Sequence, residues 1–447
     1  MSKCQPVGML LAVLALTACS AGSPSIAQHE LPATTSRHAA GPKTLTPIQH
    51  VIIVIQENRS FDQLFNGFPG ANTSRLAHLH DGTNRLLKPV PLGQYGDISH
   101  LHTAYLIEYD GGKMDGFDLV KRNKNPKTHT APDPLTYTQQ SDVQPYWDIA
   151  QKSALADDFF ASVTGPSYPA HLYLIAGGAQ NIIGLPNGRP WGCAAPPGTR
   201  TPILRPDGKQ VEGPFPCFDW TTLADELDAA HISWRFYAPY PAKTSGLSLS
   251  DWSTYLSIRH IYEGQDWTTD VINPETQILD DIKHGALPSV SWVTPKNENS
   301  DHADNGRDYG PSWIASIVNA VAAKSDYATN TVVFITWDEW GGWYDHVRPP
   351  VVDEFGLGFR VPLIISSGYT KPGYVSHVQH EFGSVLRFTE ENWGLGQLGP
   401  SDTRADDLMD IFDFNQNPHP MGQIKAPYGA SFFLDQQPDP NPVDDDE

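Results

Sequence analysis

The segment His50-Val51-Ile52-Ile53-Val54-Ile55-Gln56 constrains this chain more than any other. Val51 through Ile55 are all β-branched, which restricts their side-chain rotamers and favours a pleated strand over a helix. The run is apolar at every position, not at alternate ones, so both of its faces need cover. That is the pattern of a buried strand in a parallel sheet. It stops abruptly at Glu57-Asn58. In open α/β sheets, ligands bind just beyond the carboxyl ends of the strands, so these two side chains stand where chemistry is usually placed. Both offer oxygen to a metal ion; the plainer alternative is a strand that ends in a polar turn.

The pattern returns at Thr331-Val332-Val333-Phe334-Ile335-Thr336-Trp337, which ends in Asp338-Glu339. Adjacent carboxylates at the tip of an apolar strand repel each other and need a cation or hydrogen-bond donors. Glu57, Asn58, Asp338 and Glu339 form an oxygen set that suits Mg, Ca or Mn, while histidines nearby leave Zn open. The alternative is a solvated acidic loop.

With 447 residues, 39% hydrophobic and 11% aromatic, the chain can build a sizeable core. Its net charge of -21, from 51 acidic and 30 basic residues, works against sequence-independent nucleic-acid binding and against docking on anionic lipid by charge alone. A metal-bridged phosphate remains compatible with it, because a cation reverses the local sign.

Residues 1–18 read as a lipoprotein-type signal peptide: Lys3, an apolar stretch from Val7 to Leu16, then Leu16-Thr17-Ala18-Cys19. Cys19 would then be the lipidated first residue of the mature chain; ordinary cleavage near Ala21 is the alternative. Either way the protein is expected to be exported, as a periplasmic or cell-surface lipoprotein or as a secreted protein. Residues 19–45 read as a flexible tether, 46–437 as the catalytic domain and 438–447 as an acidic disordered tail. In an oxidising compartment Cys193 and Cys217 are expected to form a disulfide.

Apolar runs alternate with helical patterns, which argues for α/β layering. Further strands are expected at Ile232–Tyr237, Pro288–Val293 and Val361–Ser366. Helices are expected at Thr221–Ala230, Glu275–Lys283, Trp313–Ala323 and Ser384–Asn392, with Asp219 and Ser312 as N-caps of the first and third. The Pro- and Gly-rich stretch Gly184–Pro216 reads as an excursion from the sheet.

A hydrolytic metal site calls for a nucleophile. In Gly165-Pro166-Ser167-Tyr168-Pro169-Ala170-His171 a tight turn precedes an apolar helical run, so Ser167 falls near a helix N-terminus. Backbone N–H groups and the dipole there favour an anion, and a metal would make the hydroxyl a useful nucleophile. The alternative is that Ser167 is only a helix cap. His100 and His302 (the latter after Asp301) can donate to phosphate oxygens or protonate a leaving group, and Asp345-His346 follows the Asp338-Glu339 pair.

Taken in order, Glu57-Asn58-Arg59-Ser60-Phe61-Asp62, Gly112-Lys113-Met114-Asp115-Gly116-Phe117, Gly165-Pro166-Ser167 and Trp337-Asp338-Glu339 with Tyr344-Asp345-His346 resemble the bacterial phosphoesterase family of phospholipases C and acid phosphatases, within the alkaline-phosphatase-like superfamily. The resemblance implies a three-layer α/β/α sandwich with a mostly parallel central sheet. It implies that Glu57, Asn58, Asp338 and Glu339 hold one or more divalent metal ions, with Ser167 coordinated there and attacking phosphorus to give a phospho-enzyme. His100 and His302 match the family's phosphate-contacting histidines, and His346 a residue behind the site. Two positions depart from the pattern. Ser167 stands where many relatives carry threonine, which keeps the hydroxyl. Ala170-His171 replaces Asn-Arg, and with it the charge contact an arginine would make.

The expected function is that of an exported, metal-dependent phosphoric-ester hydrolase of the phospholipase C type. A phosphomonoesterase of the acid phosphatase kind is the alternative within enzymes. A surface lipoprotein that binds a phosphorylated ligand without turnover is the alternative outside them. The expected partners are a phospholipid or small phosphate ester and, through an N-terminal lipid, a membrane. Neither nucleic acid nor an obligatory protein partner is expected.

Overall fold

The computed structural model describes residues 43–94, 96–124, 130–239, 252–353 and 355–437. The expected signal peptide, the Cys19 lipidation site, the tether up to residue 42 and the tail from residue 438 lie outside the described residues.

The central sheet has eight strands: β1 (His50–Gln56), β2 (Ala154–Ala156), β3 (Trp234–Tyr237), β4 (Val271–Ile272), β5 (Val290–Val293), β6 (Thr331–Trp337), β7 (Leu363–Ser367) and β8 (Tyr374–Ser376). Their order is β4-β3-β5-β1-β6-β7-β2-β8. The first five are mutually parallel. The expected mostly parallel sheet contains one reversal, which makes it mixed: β7 runs antiparallel to both β6 and β2. The reason is the connection. The chain leaves β6 at Trp337, loops at the carboxyl end of the sheet and re-enters from that same end. A parallel neighbour would require a crossover to the opposite end.

Val51–Ile55 and Val332–Ile335 have no exposed surface, so both faces at the centre of the sheet are covered. Two helix groups supply the cover. The helix Gly310–Ala323 packs on Gln140–Lys152 and Gln277–His284, and the helix Ser167–Ala176 packs on Phe382–Trp393 and Leu223–Ala229. This is the three-layer arrangement. Each fully buried Val or Ile contributes about 1.5–3 kcal/mol through removal from water, which is why the two longest strands sit in the middle.

Two expected caps are corrected. The first helix begins at Leu223, and Asp225 accepts from the Thr222 N–H (2.7 Å) and hydroxyl (2.8 Å), while Asp219 faces His260 at 2.6 Å. A Thr-x-x-Asp pair adjoining the helix satisfies a terminal donor that a carboxylate three residues upstream cannot reach. Ser312 lies inside the helix that starts at Gly310. Cys193 and Cys217 are joined as a disulfide with Cα atoms 4.5 Å apart. The excursion they staple carries a short hairpin, Pro202–Leu204 with Gln210–Glu212, and sets Trp191 edge-on against Tyr168 at 5.3 Å.

Candidate active site

β1 and β6 are neighbours, and their register pairs Gln56 with Trp337. Glu57 and Asp338 therefore leave the sheet side by side. The Asp338 N–H donates to the Gln56 carbonyl at 3.0 Å, and the Asn58 N–H donates to Asp338 Oδ1 at 3.0 Å. Asn58 takes a left-handed conformation (φ 56°), which turns the chain back over the strand tips. Gly341 crosses directly above it: a Cβ there would lie 2.2 Å from the Asn58 carbonyl oxygen, and its φ of +63° also favours glycine.

Ser167 opens the helix Ser167–Ala176, which Pro166 precedes and Gly177 (φ 64°) ends. The turn before it is tight, since a Cβ on Gly165 would meet the Ile183 carbonyl at 2.8 Å. All ten residues of this helix are buried, so its first turn is fixed by packing on every side. Ser167 Oγ lies 3.4 Å from both Glu57 Oε2 and Asn58 Oδ1.

One helical turn after Ser167, on the same face, stands His171. Its Nε2 is 2.9 Å from Glu57 Oε1 and 3.8 Å from Asp338 Oδ2. Asp338 Oδ2 is buried and accepts no hydrogen bond. The ligand atoms of Glu57, His171 and Asp338 all lie within 4.8 Å of one another, a group able to hold a metal ion. Burial pushes the His171 imidazole down to about 4, against the opposing pull of Asp338, so the ring is neutral at pH 7. His171 was not among the residues the sequence singled out as catalytic. Its i, i+4 spacing from Ser167 was the available signal.

The remaining candidates fall into three places. His100 adjoins the site: its Nδ1 meets the Ile98 carbonyl at 2.8 Å, its Nε2 the Asn58 amide nitrogen at 3.2 Å and, more distantly, Glu339 Oε1 at 3.9 Å. Glu339 Oε2 accepts from the Gly341 N–H at 2.7 Å, so Glu339 faces its own loop and His100. His302 is buried with its ring 6.3 Å from that of His100, and its Nδ1 is 2.6 Å from Asp304 Oδ1. A residue the sequence did not suggest, Glu108, is buried beside this group. Burial and, to a lesser degree, Glu339 push its carboxyl well above the usual range, while the Trp340 indole donates to it at 2.6 Å.

Asp345 and His346 lie in a separate cluster. Arg360 Nε and Nη2 donate to the two Asp345 oxygens at 2.9 and 3.0 Å, and His346 Nδ1 is 2.5 Å from Asp62 Oδ2. Asp301 is a third case. It accepts from the Tyr146 hydroxyl at 2.7 Å and the Trp337 indole at 3.2 Å, and burial pushes its carboxyl up to about 6. It braces the underside of the strand tips. In the Gly112–Phe117 block, Lys113 is exposed and pairs with Asp110. Gly116 packs so closely on the helix His102–Tyr109 that a Cβ would lie 1.9 Å from the Ile107 carbonyl. A cleft of about 660 Å³ lined by Tyr173, Trp220 and Phe355 opens at the far end of the Ser167–Ala176 helix, away from the hydroxyl.

Comparison with known proteins adds to this geometry. Hemolytic phospholipase C of Pseudomonas aeruginosa is 27% identical over 434 residues, which cover 83% of this chain and 56% of that protein. This chain thus spans little more than half the length of that relative. Phospholipase C B of Mycobacterium tuberculosis is 23% identical, over 87% of this chain and 82% of its own length. Among solved structures, a protein in the alkaline phosphatase superfamily from Vibrio parahaemolyticus aligns with a TM-score of 0.37 and 11% identity, over 81% of this chain and 72% of that one. The model of the phosphoesterase family matches residues 48–396, most of the chain, and on that match the chain belongs to the phosphoesterase family.

Proposed function

We propose that this chain is an exported, metal-dependent hydrolase of phosphoric esters, of the phospholipase C type, with Ser167 as nucleophile. One observation carries the reading: the Ser167 hydroxyl lies 3.4 Å from the oxygens of Glu57 and Asn58, at the N-terminus of a buried helix. The names of the relatives, phospholipases C, supply the substrate class.

The residues fit a divalent cation, because Asp338 Oδ2 is buried without a hydrogen bond and Glu57 and His171 present ligand atoms beside it. Asn58 Oδ1, on the Ser167 side, would add an oxygen to the set, and Glu339 stands beside it, turned to its own loop and His100. A bound cation lowers the pKa of a nearby hydroxyl and offsets phosphate charge. The chain's own residues do the rest. The first turn of the Ser167–Ala176 helix favours the phosphate through its dipole. His100 holds the Asn58 amide, which keeps Asn58 Oδ1 towards the Ser167 hydroxyl. Ser167 Oγ bonds to phosphorus while the alcohol oxygen leaves with a proton. Water then cleaves the phosphoserine and restores the hydroxyl. His302, engaged by Asp304, carries protons to and from the phosphate and leaving oxygens, while His100 keeps its positioning role.

The test is turnover of phosphatidylcholine and of para-nitrophenyl phosphate, side by side, on the purified chain supplied with several divalent metals. Phospholipid turnover is expected. Turnover of the small ester alone would replace this reading with an acid phosphatase, and binding without turnover of either would replace it with a ligand-binding lipoprotein. Mass spectrometry of the mature N-terminus tests acylation at Cys19.

A further inference from the structure

We infer that His171 is itself a nitrogen ligand of the cation held by Glu57 and Asp338, and that the site therefore takes a borderline first-row ion (Mn, Fe, Co or Zn) in preference to Ca or Mg. The inference rests on the metal-dependent reading above and adds the class of ion to it.

The geometry favours a ligand over a spectator. Donor atoms that share one ion at about 2.1 Å lie roughly 3–3.5 Å from each other. His171 Nε2 is 2.9 Å from Glu57 Oε1 and 3.8 Å from Asp338 Oδ2, which brackets that range. The other ring nitrogen has an acceptor within reach. Thr254 Oγ1 lies 3.4 Å from His171 Nδ1 and 3.4 Å from the Trp252 carbonyl oxygen. A threonine hydroxyl that donates to the carbonyl accepts from Nδ1–H, and this is the tautomer that turns the Nε2 lone pair to a cation. With no ion bound, Nε2–H donates to Glu57 Oε1 at 2.9 Å, so proton and cation compete for the same nitrogen. A histidine that ligates a metal through one nitrogen while the other donates to a protein oxygen is the usual arrangement.

Asp338 Oδ2 gives the independent sign, as a buried carboxylate oxygen with no hydrogen bond. Ca and Mg are bound by oxygen, Ca with six to eight such ligands, whereas imidazole suits the later first-row ions. His171 also rises from the same rigid helix as Ser167, so the nitrogen ligand and the hydroxyl are held in fixed relation.

The experiment uses the full chain, stripped with a chelator, and the chloride salts of Zn, Mn, Co, Ca and Mg alone as calorimetric titrants. We expect Zn and Co to bind at least about 100-fold more tightly than Ca or Mg. His171→Ala should lower Zn and Co affinity by about 100-fold or more and shift Ca affinity far less. Thr254→Val, a gentler change, should weaken Zn and Co by roughly 10-fold. Circular dichroism and thermal melts check that both variants fold. Electron spin-echo spectroscopy of the Mn-loaded protein should show a histidine nitrogen coupling that His171→Ala removes. If His171→Ala leaves both ion selectivity and nitrogen coupling unchanged while Asp338→Asn abolishes binding, His171 merely positions Glu57 and the inference is overturned. If no ion binds the wild-type chain, the metal-dependent reading falls with it.

Discussion

Two buried carboxylate clusters arise from the same two segments and end differently. Glu57 and Asp338 begin these segments; Asp62 and Asp345 stand five and seven residues further on. Asp345 is held bidentate by Arg360, Asp62 lies 3.5 Å from the same guanidinium, and His346 adds a third contact. That cluster is complete within the chain. Among the described residues no lysine or arginine pairs with Asp338, whose Oδ2 has no hydrogen bond and lies 3.8 Å from the His171 imidazole. Glu390 shows a third outcome: burial, with Asp402 and Glu226 nearby, pushes its carboxyl up to about 9, so it stays protonated at neutral pH. Buried acid can be matched by an arginine, neutralised by a proton or left for an external cation. Which outcome holds separates scaffold from candidate site.

The sharpest way to break the comparison is at the nucleophile. Ser167→Ala should cut phosphoester turnover by roughly 10⁴-fold in kcat while leaving the melting temperature nearly unchanged. A fall of less than about tenfold would remove Ser167 from the chemistry. Next in size, Arg360→Met should destabilise the fold by about 3–5 kcal/mol in urea unfolding, because it strands two buried carboxylates. A loss under 1 kcal/mol would mean that the cluster is wetter than its burial implies. Smaller and opposite in sign, Asp338→Asn should leave chelator-treated protein as stable as wild type, or raise it by about 1 kcal/mol, since it removes a buried charge whose Oδ2 has no hydrogen bond. Added Zn or Mn should then raise the melting temperature of wild type and not of this variant.

The smallest effect concerns Glu390. A carboxyl raised in the folded state keeps a proton that the unfolded chain releases, so stability falls as pH rises from about 4.5 towards 9. Glu390→Gln should flatten that slope, gaining about 1 kcal/mol over wild type at pH 8.5 and nothing at pH 4.5. Parallel melting curves across this range would remove protonation as the third outcome.

What could be read from the sequence follows from how local each signal is. β1 and β6 were legible because five or more contiguous apolar residues leave a strand little alternative inside a sheet. The place of Ser167 at a helix start was legible because Gly165-Pro166 forces a turn before an apolar helix. Ala154–Ala156, Val271–Ile272 and Tyr374–Ser376 were not, since strands of two or three residues owe their form to neighbours and not to their own pattern. The reversal of β7 was hidden for the same reason: a connection, not a residue preference, dictates it. Within the site, His171 was noticed as a departure from the family pattern, yet its i, i+4 spacing from Ser167 was the one local sign of what it faces before the helix is docked. His346 was expected behind the site, and it pairs with Asp62 and Arg360 in a cluster of its own.

The pairing of β1 with β6 joins Asn58 to Asp338 across 280 positions. No portion of the chain that stops short of β6 can close a cradle around an ion, however well its first strand has settled. If an ion is bound there as proposed, its retention reports that the molecule is complete. A preparation that has lost its later strands to proteolysis should release its ion before any change in its early half can be detected.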